Sequence, residues 1–395
     1  MSTMERLVPG DHFPAAGRVA YLNTGTVGIT PDPVLEDAVA ALRWYHSTGP
    51  ALPEPREFRR ESKVAAGESL ARFLGASRDE VEILEDTTAG INAAVAGLRL
   101  QRGDRVVVSD VEHYAGRVTW AYAADRLGLE IDVVPARGGL VEVEDVEAVL
   151  CGRTRVVSLS HVSFMTGSMI DAPALGSILR ERGIFSVLDA AQSLGVLDVA
   201  AEDLGWDLVA FPGYKWCLGP EGTGGFYLAR EAWDRLDPPA VSGGGMLERT
   251  LDGEYTLAPG ARRYADSNPS LLDHFLLGGS LDYLGSVGLS KIEEYCRRLA
   301  DAFVAGLGGI PGAELITPED PRYRATLIVF TLAGADPEAV ASGLFEAGIH
   351  LRTVPGTGGL RASFHLYNTM EDVEALLHEL GEIARGGNRT CTSKT

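Results

Sequence analysis

The stretch that decides the fold is Asp207–Ala229, DLVAFPGYKWCLGPEGTGGFYLA. An apolar run, DLVAF, enters a short turn that carries Lys215, and a glycine-rich passage leads out into a second apolar run, GGFYLA. Two short apolar runs bounded by glycine and proline read as buried strands joined by that turn. Lysine is scarce in this chain. Lys63, Lys215, Lys291 and Lys394 are the whole set. Lys63 and Lys291 sit in polar helical patterns and Lys394 in the tail, so elimination leaves Lys215 as the lysine for covalent chemistry.

Working outward, further strands are expected at 81–85, 105–110, 130–136, 155–162 and 185–189, besides 207–211 and 224–229. Helical patterns such as GRVTWAYAADRLG and APALGSILRERG lie between them. That alternation predicts an α/β fold, with a mostly parallel sheet covered on both faces. The pattern changes near residue 285, where helix KIEEYCRRLADAFVAGLGG precedes strand candidates AELIT, ATLIVFTLAG and LRASFHLY. The expected organisation is a large domain over 18–285, with 1–17 and 286–395 forming a smaller α+β domain. In the last helix Val373, Leu376, Leu377, Leu380 and Ile383 share one face, and Thr369 with Asp372 forms a capping box at its start.

The 395 residues carry a formal net charge of −20. No basic stripe offsets it, which argues against nucleic acid or an anionic membrane as partner. No secretory signal and no membrane-length apolar run is found. Cys151, Cys217, Cys296 and Cys391 form no CxxC pair, so neither a metal site nor a disulfide framework is expected, and a reduced cytoplasmic location fits. The Asn388–Thr390 sequon carries no weight without a signal.

In open parallel sheets, ligands collect beyond the carboxyl ends of the strands. Asp189, Gln192, Lys215, Thr87, Thr88, Glu112 and His113 all fall at such ends. An acid at one strand end usually caps a helix; acid, lysine, threonines and histidine together point to a site. A lysine able to form a Schiff base, an acid for a pyridine nitrogen and a helix start for a phosphate suit pyridoxal 5'-phosphate.

From YLNTGTVG to RASFHLYNT the chain resembles the class V aminotransferase family of fold-type I pyridoxal phosphate enzymes, with six motifs in family order. That family includes cysteine desulfurases, kynureninases, isopenicillin-epimerase-like proteins and bacterial C–S lyases. The resemblance implies Lys215 in GYKW as the Schiff-base lysine, Asp189 as partner of the pyridine nitrogen and Gln192 beside the ring oxygen. It implies His113 stacked on the ring, and Thr87, Thr88 and the Ala89 amide on the phosphate with Tyr214 nearby. Arg361 in LRASFHLYNT would grip the substrate α-carboxylate. Such sites form at a homodimer interface, which would let Asn268 reach the neighbouring subunit's phosphate.

Two departures shape the expected activity. Desulfurases of the most similar type carry a catalytic cysteine on a loop before the RAS segment, whereas LRTVPGTGGLRASF has a short connection and no cysteine. Cys217 is expected to be a buried small hydrophobe. Where desulfurases place an asparagine, SHVSFMTGS has Phe164, and His161 in the same motif is expected to be a satisfied core histidine. The expected reaction is β-elimination on an S-substituted L-cysteine, giving thiol, pyruvate and ammonia, as in actinobacterial lyases of ergothioneine or lincosamide-type antibiotic biosynthesis. The alternatives are decarboxylating oxidative deamination of such a conjugate, an aminotransferase or epimerase of the same family, and a non-catalytic descendant of the fold.

Overall fold

A computed structural model describes residues 4–386. The Asn388–Thr390 sequon, Cys391 and Lys394 lie outside the described residues. Two long helices, α1 (Asp32–Thr48) and α2 (Pro53–Leu74), precede the main sheet. The sheet's seven strands are β1 (Val81–Leu84), β2 (Arg105–Ser109), β3 (Glu130–Val134), β4 (Thr154–Ser160), β5 (Phe185–Asp189), β6 (Leu208–Pro212) and β7 (Gly224–Leu228). Their spatial order is β1-β7-β6-β5-β4-β2-β3.

β7 is antiparallel to both β6 and β1, and the remaining pairings are parallel. Six strands therefore point one way and share one carboxyl edge, as the alternation predicts. α3 (Thr87–Gly97), α4 (Tyr114–Leu127), α5 (Val143–Val149) and α6 (Ala172–Glu181) make the crossovers. Every residue of β5 and β6 is buried, because helices cover both faces.

After an exposed hairpin (Met246–Arg249 with Tyr255–Leu257) come α7 (Leu271–Val287) and α8 (Leu289–Leu307). A second, antiparallel sheet follows, of β8 (Ala313–Leu315), β9 (Leu327–Leu332), β10 (Arg352–Val354) and β11 (Gly359–Ser363), in the order β8-β9-β11-β10. Helices α9 (Pro337–Glu346) and α10 (Met370–Ala384) accompany it. The capping box at Thr369 and Asp372 is present, and Val373, Leu376 and Leu380 are buried on one face of α10.

The segment before α1 ties the two sheets together. Ala20–Tyr21 pairs with Ile349–His350, and Asn23 bridges Ser363 at the end of β11. The next turn crosses to the lysine segment, where the Gly28 amide donates to the Tyr214 carbonyl at 2.7 Å. A Cβ at Gly28 would stand 2.1 Å from the Lys215 carbonyl oxygen, so only glycine permits that approach.

Candidate active site

At the shared carboxyl edge a narrow cleft opens over β1, β6, β5, β4 and β2. Of the residues expected in a site, Thr87, Thr88, His113, Asp189, Gln192, Tyr214 and Lys215 line it. Phe164 and Ser160 are among the residues that share its wall.

Lys215 is set by the turn that follows β6. The Gly219 amide donates to the Gly213 carbonyl at 2.8 Å, and Leu218 N–H donates to the Lys215 carbonyl at 3.2 Å. Leu218 holds a φ of 57°, alone among the described non-glycine residues in the left-handed region. Such backbone strain persists where surrounding packing over-determines it, and here Trp216, Cys217 and Leu218 are wholly buried. Lys215 itself lines the cleft. Burial pushes its amine down to about 8, the Asp189 carboxylate opposes that, and the charges of Arg361 and Arg352 add to it.

Asp189 ends β5. Its Oδ1 accepts from the Ala191 amide at 2.9 Å, while no described donor serves Oδ2. Burial raises this carboxyl, and the Lys215 charge counters the rise. His113 caps α4, its Nδ1 accepting from Ala115 N–H at 3.3 Å. Burial first, then the charges of Lys215, Arg361 and Arg352, push the ring down to about 4. The imidazole is therefore neutral near pH 7 with its proton on Nε2. Phe164 meets the His113 ring edge-on, centroids 5.0 Å apart, in the place where an asparagine would offer an amide.

The start of α3 behaves differently from expectation at one atom. The Ala89 amide is occupied within the chain, donating to the Asp86 carboxylate at 2.8 Å. Thr87 Oγ1, in contrast, is buried and has no partner among the described residues. Gln192 has both ends engaged: Nε2 donates to the Gly25 carbonyl at 3.0 Å and Oε1 accepts from Trp216 Nε1 at 2.8 Å. One N–H of its amide stays available to the cleft.

Arg361 does not line the cleft but acts on Lys215 and His113 by its charge. It is buried on β11, its Nη2 donates to Thr26 Oγ1 at 2.9 Å, and its Nε has no partner. Arg352, its register partner on β10, donates to the same hydroxyl at 3.2 Å. Neither guanidinium pairs with a described carboxylate, and burial with the Arg352 charge pushes Arg361 down to about 9. Sequence reasoning missed Arg352 and Thr26. The nine-residue spacing around PGTGG is that of a hairpin, which would have set the two arginines opposite each other.

Asn268 is not with the others. It borders a separate pocket with Lys63, Glu82 and Thr223, on the outer side of β1. His161 is buried, as expected, but its Nδ1 has no partner among the described residues, so it is not a satisfied core histidine. Cys217 is buried with its thiol on the Leu194 carbonyl at 3.4 Å, and burial raises its pKa strongly. No described cysteine lines the cleft.

These residues fit pyridoxal phosphate. A lysine amine with a depressed pKa faces a buried acid with one open oxygen, and an orphaned threonine hydroxyl waits at a helix start.

The sequence model of the family described as aminotransferase class-V matches residues 21–376. A probable cysteine desulfurase of Methanothermobacter thermautotrophicus is 32% identical over 384 residues, covering 93% of this chain and 95% of that protein. One from Pyrococcus abyssi is 28% identical, covering 94% and 96%. The apo cysteine desulfurase of Thermococcus onnurineus NA1 superposes with a TM-score of 0.87 at 27% identity, over 98% of this chain and all 100% of that one. The cystine C–S lyase C-DES, in complex with cysteine persulfide, shares the fold with a TM-score of 0.88 at 24% identity, over 94% and 99%.

Proposed function

Because the chain belongs to the aminotransferase class-V family, and so is a pyridoxal phosphate-dependent enzyme of the cysteine desulfurase and C–S lyase group, we propose that it cleaves S-substituted L-cysteines by β-elimination. The observation that carries this reading is the hairpin before Arg361. Four residues, Pro355 to Gly358, join β10 to β11, leaving no loop to hold a sulfur-accepting cysteine over the cleft. Without a thiolate there, no described residue at the cleft can carry persulfide sulfur.

Pyridoxal phosphate, when bound, supplies an electron sink for the bond broken at Cα. Asp189 Oδ2 would hold its ring nitrogen, Thr87 and Thr88 its phosphate, and the neutral His113 ring would lie against its face. Arg361 would take the substrate α-carboxylate in a bidentate pair, satisfying its orphaned Nε. Lys215 would remove the Cα proton. As that proton leaves, the Cα–Cβ double bond forms, the Cβ–S bond breaks and its electron pair departs with sulfur as thiolate. Water hydrolyses the released aminoacrylate to pyruvate and ammonia. A homodimer that brings Asn268 to the neighbouring phosphate, and a role in secondary metabolism, belong to the same reading.

Two guanidinium groups meet at one hydroxyl with no described acid beside them, which supports conjugates that carry a second anion on the sulfur substituent. A panel of cysteine conjugates with and without a second carboxylate tests this. Pyruvate and thiol are expected from both, with the lower KM for the dicarboxylates, and Arg352→Met should raise KM for those alone. Amino exchange that depends on an added keto acid would overturn the elimination reading.

A further inference from the structure

Glu112 takes no part in the steps given to Lys215, Asp189 or Arg361, yet it is buried under the cleft where the sheet order reverses between β2 and β4. Its carboxyl accepts from Ser109 Oγ at 2.6 Å and from the Ser160 hydroxyl. Burial pushes it up to about 7, the two hydroxyls and the Ser160 backbone pull it back, and the Asp189 charge pushes it up again. No lysine, arginine or histidine among the described residues pairs with it. The first turn of α4 packs on it through Gly116, where a Cβ would lie 3.5 Å from that of Glu112.

Ser160 links this carboxyl to the site. It is the register partner of Asp189 across parallel strands β4 and β5, so both side chains leave the same face, and both line the cleft. A serine hydroxyl has one proton to give. Ser160 gives it to Glu112, and toward Asp189 it therefore presents only lone pairs.

We propose that Glu112 is a positioning residue for Asp189: acting through the oriented Ser160 hydroxyl, it keeps negative potential where Asp189 meets the cofactor's ring nitrogen. The inference rests on that placement of Asp189. Negative potential at this spot favours a protonated ring nitrogen and gives nothing to a ring that has carbon there.

The test is binding to the apoprotein, which requires no turnover. Wild type, Glu112→Gln and Ser160→Ala are titrated with pyridoxal phosphate and with its 1-deaza analogue, in which carbon replaces the ring nitrogen. Ser160→Ala cuts the link without leaving a new buried charge, and melting curves check that each variant folds. Both variants should lose about tenfold in affinity for pyridoxal phosphate, the range of a disrupted buried hydrogen bond to a charged group, and keep their affinity for the analogue. Equal loss for both ligands would reduce Glu112 to a fold residue, and no loss for either would remove its influence; each overturns the proposal while wild type still prefers the nitrogen ring. Wild type without that preference would overturn the placement of Asp189 itself.

Discussion

A lysine amine serves as a base only in its uncharged form, and burial at the foot of the cleft supplies that form to Lys215. The same burial opposes folding. Below pH 8 the amine is charged in both folded and unfolded chains, and the folded state bears the whole desolvation cost. Between about 8 and the unperturbed value of about 10.4 the folded amine is already neutral, so the cost fades as pH rises. Lys215→Ala should therefore abolish turnover, yet leave apoprotein melting at pH 7 unchanged or higher. Any such gain should shrink between pH 8 and 10.5 in paired melting curves. Asp189→Ala should weaken both cofactor retention and rate, read by dialysis against buffer and by assay. Arg361→Lys should raise KM at least tenfold, since a single ammonium loses the bidentate grip on a carboxylate.

At the scale of elements, the site exists because strand ends, a strained turn and the Asn23–Gly28 segment meet at one edge. Gly28→Ala would drive a methyl into the Lys215 carbonyl, so the segment must leave or the turn must shift. A loss of about 1–3 kcal/mol is expected, with activity falling further than stability; denaturant unfolding and assay measure the two. The strands were legible because each is a short, mostly apolar run bounded by turn residues, and β5 and β6 match their expected bounds to within a residue. Lys215, Asp189 and His113 were legible because they stand at strand ends. The occupied Ala89 amide was not, since Asp86 and Ala89 compose an ordinary N-cap that sequence cannot tell from a ligand seat. α7 escaped notice for another reason: it is apolar around much of its circumference, lying between α1 and α2, and so lacks the one-sided period that marks a helix. Thr26, which joins both arginines, lies 335 residues from Arg361 in sequence. Thr26→Val should raise KM more than it lowers kcat, because it frees both guanidinium groups from their common anchor.

At the scale of the whole molecule, α1 turns Leu35, Val39 and Trp44 outward, beside the open groove it forms with α2 and α7. A homodimer through this face would cover them, and sedimentation should give twice the chain mass, with Leu35→Glu plus Val39→Glu shifting the balance toward monomer. The fate of the substrate's carbon skeleton bears most directly on the function. Transfer of sulfur to an enzyme thiol leaves alanine, whereas elimination leaves pyruvate. The decisive measurement is the ratio of pyruvate to alanine formed from an S-substituted L-cysteine, with thiol counted alongside. Pyruvate and thiol in equal amounts, with no alanine, is the predicted result. Alanine as the main carbon product would contradict it.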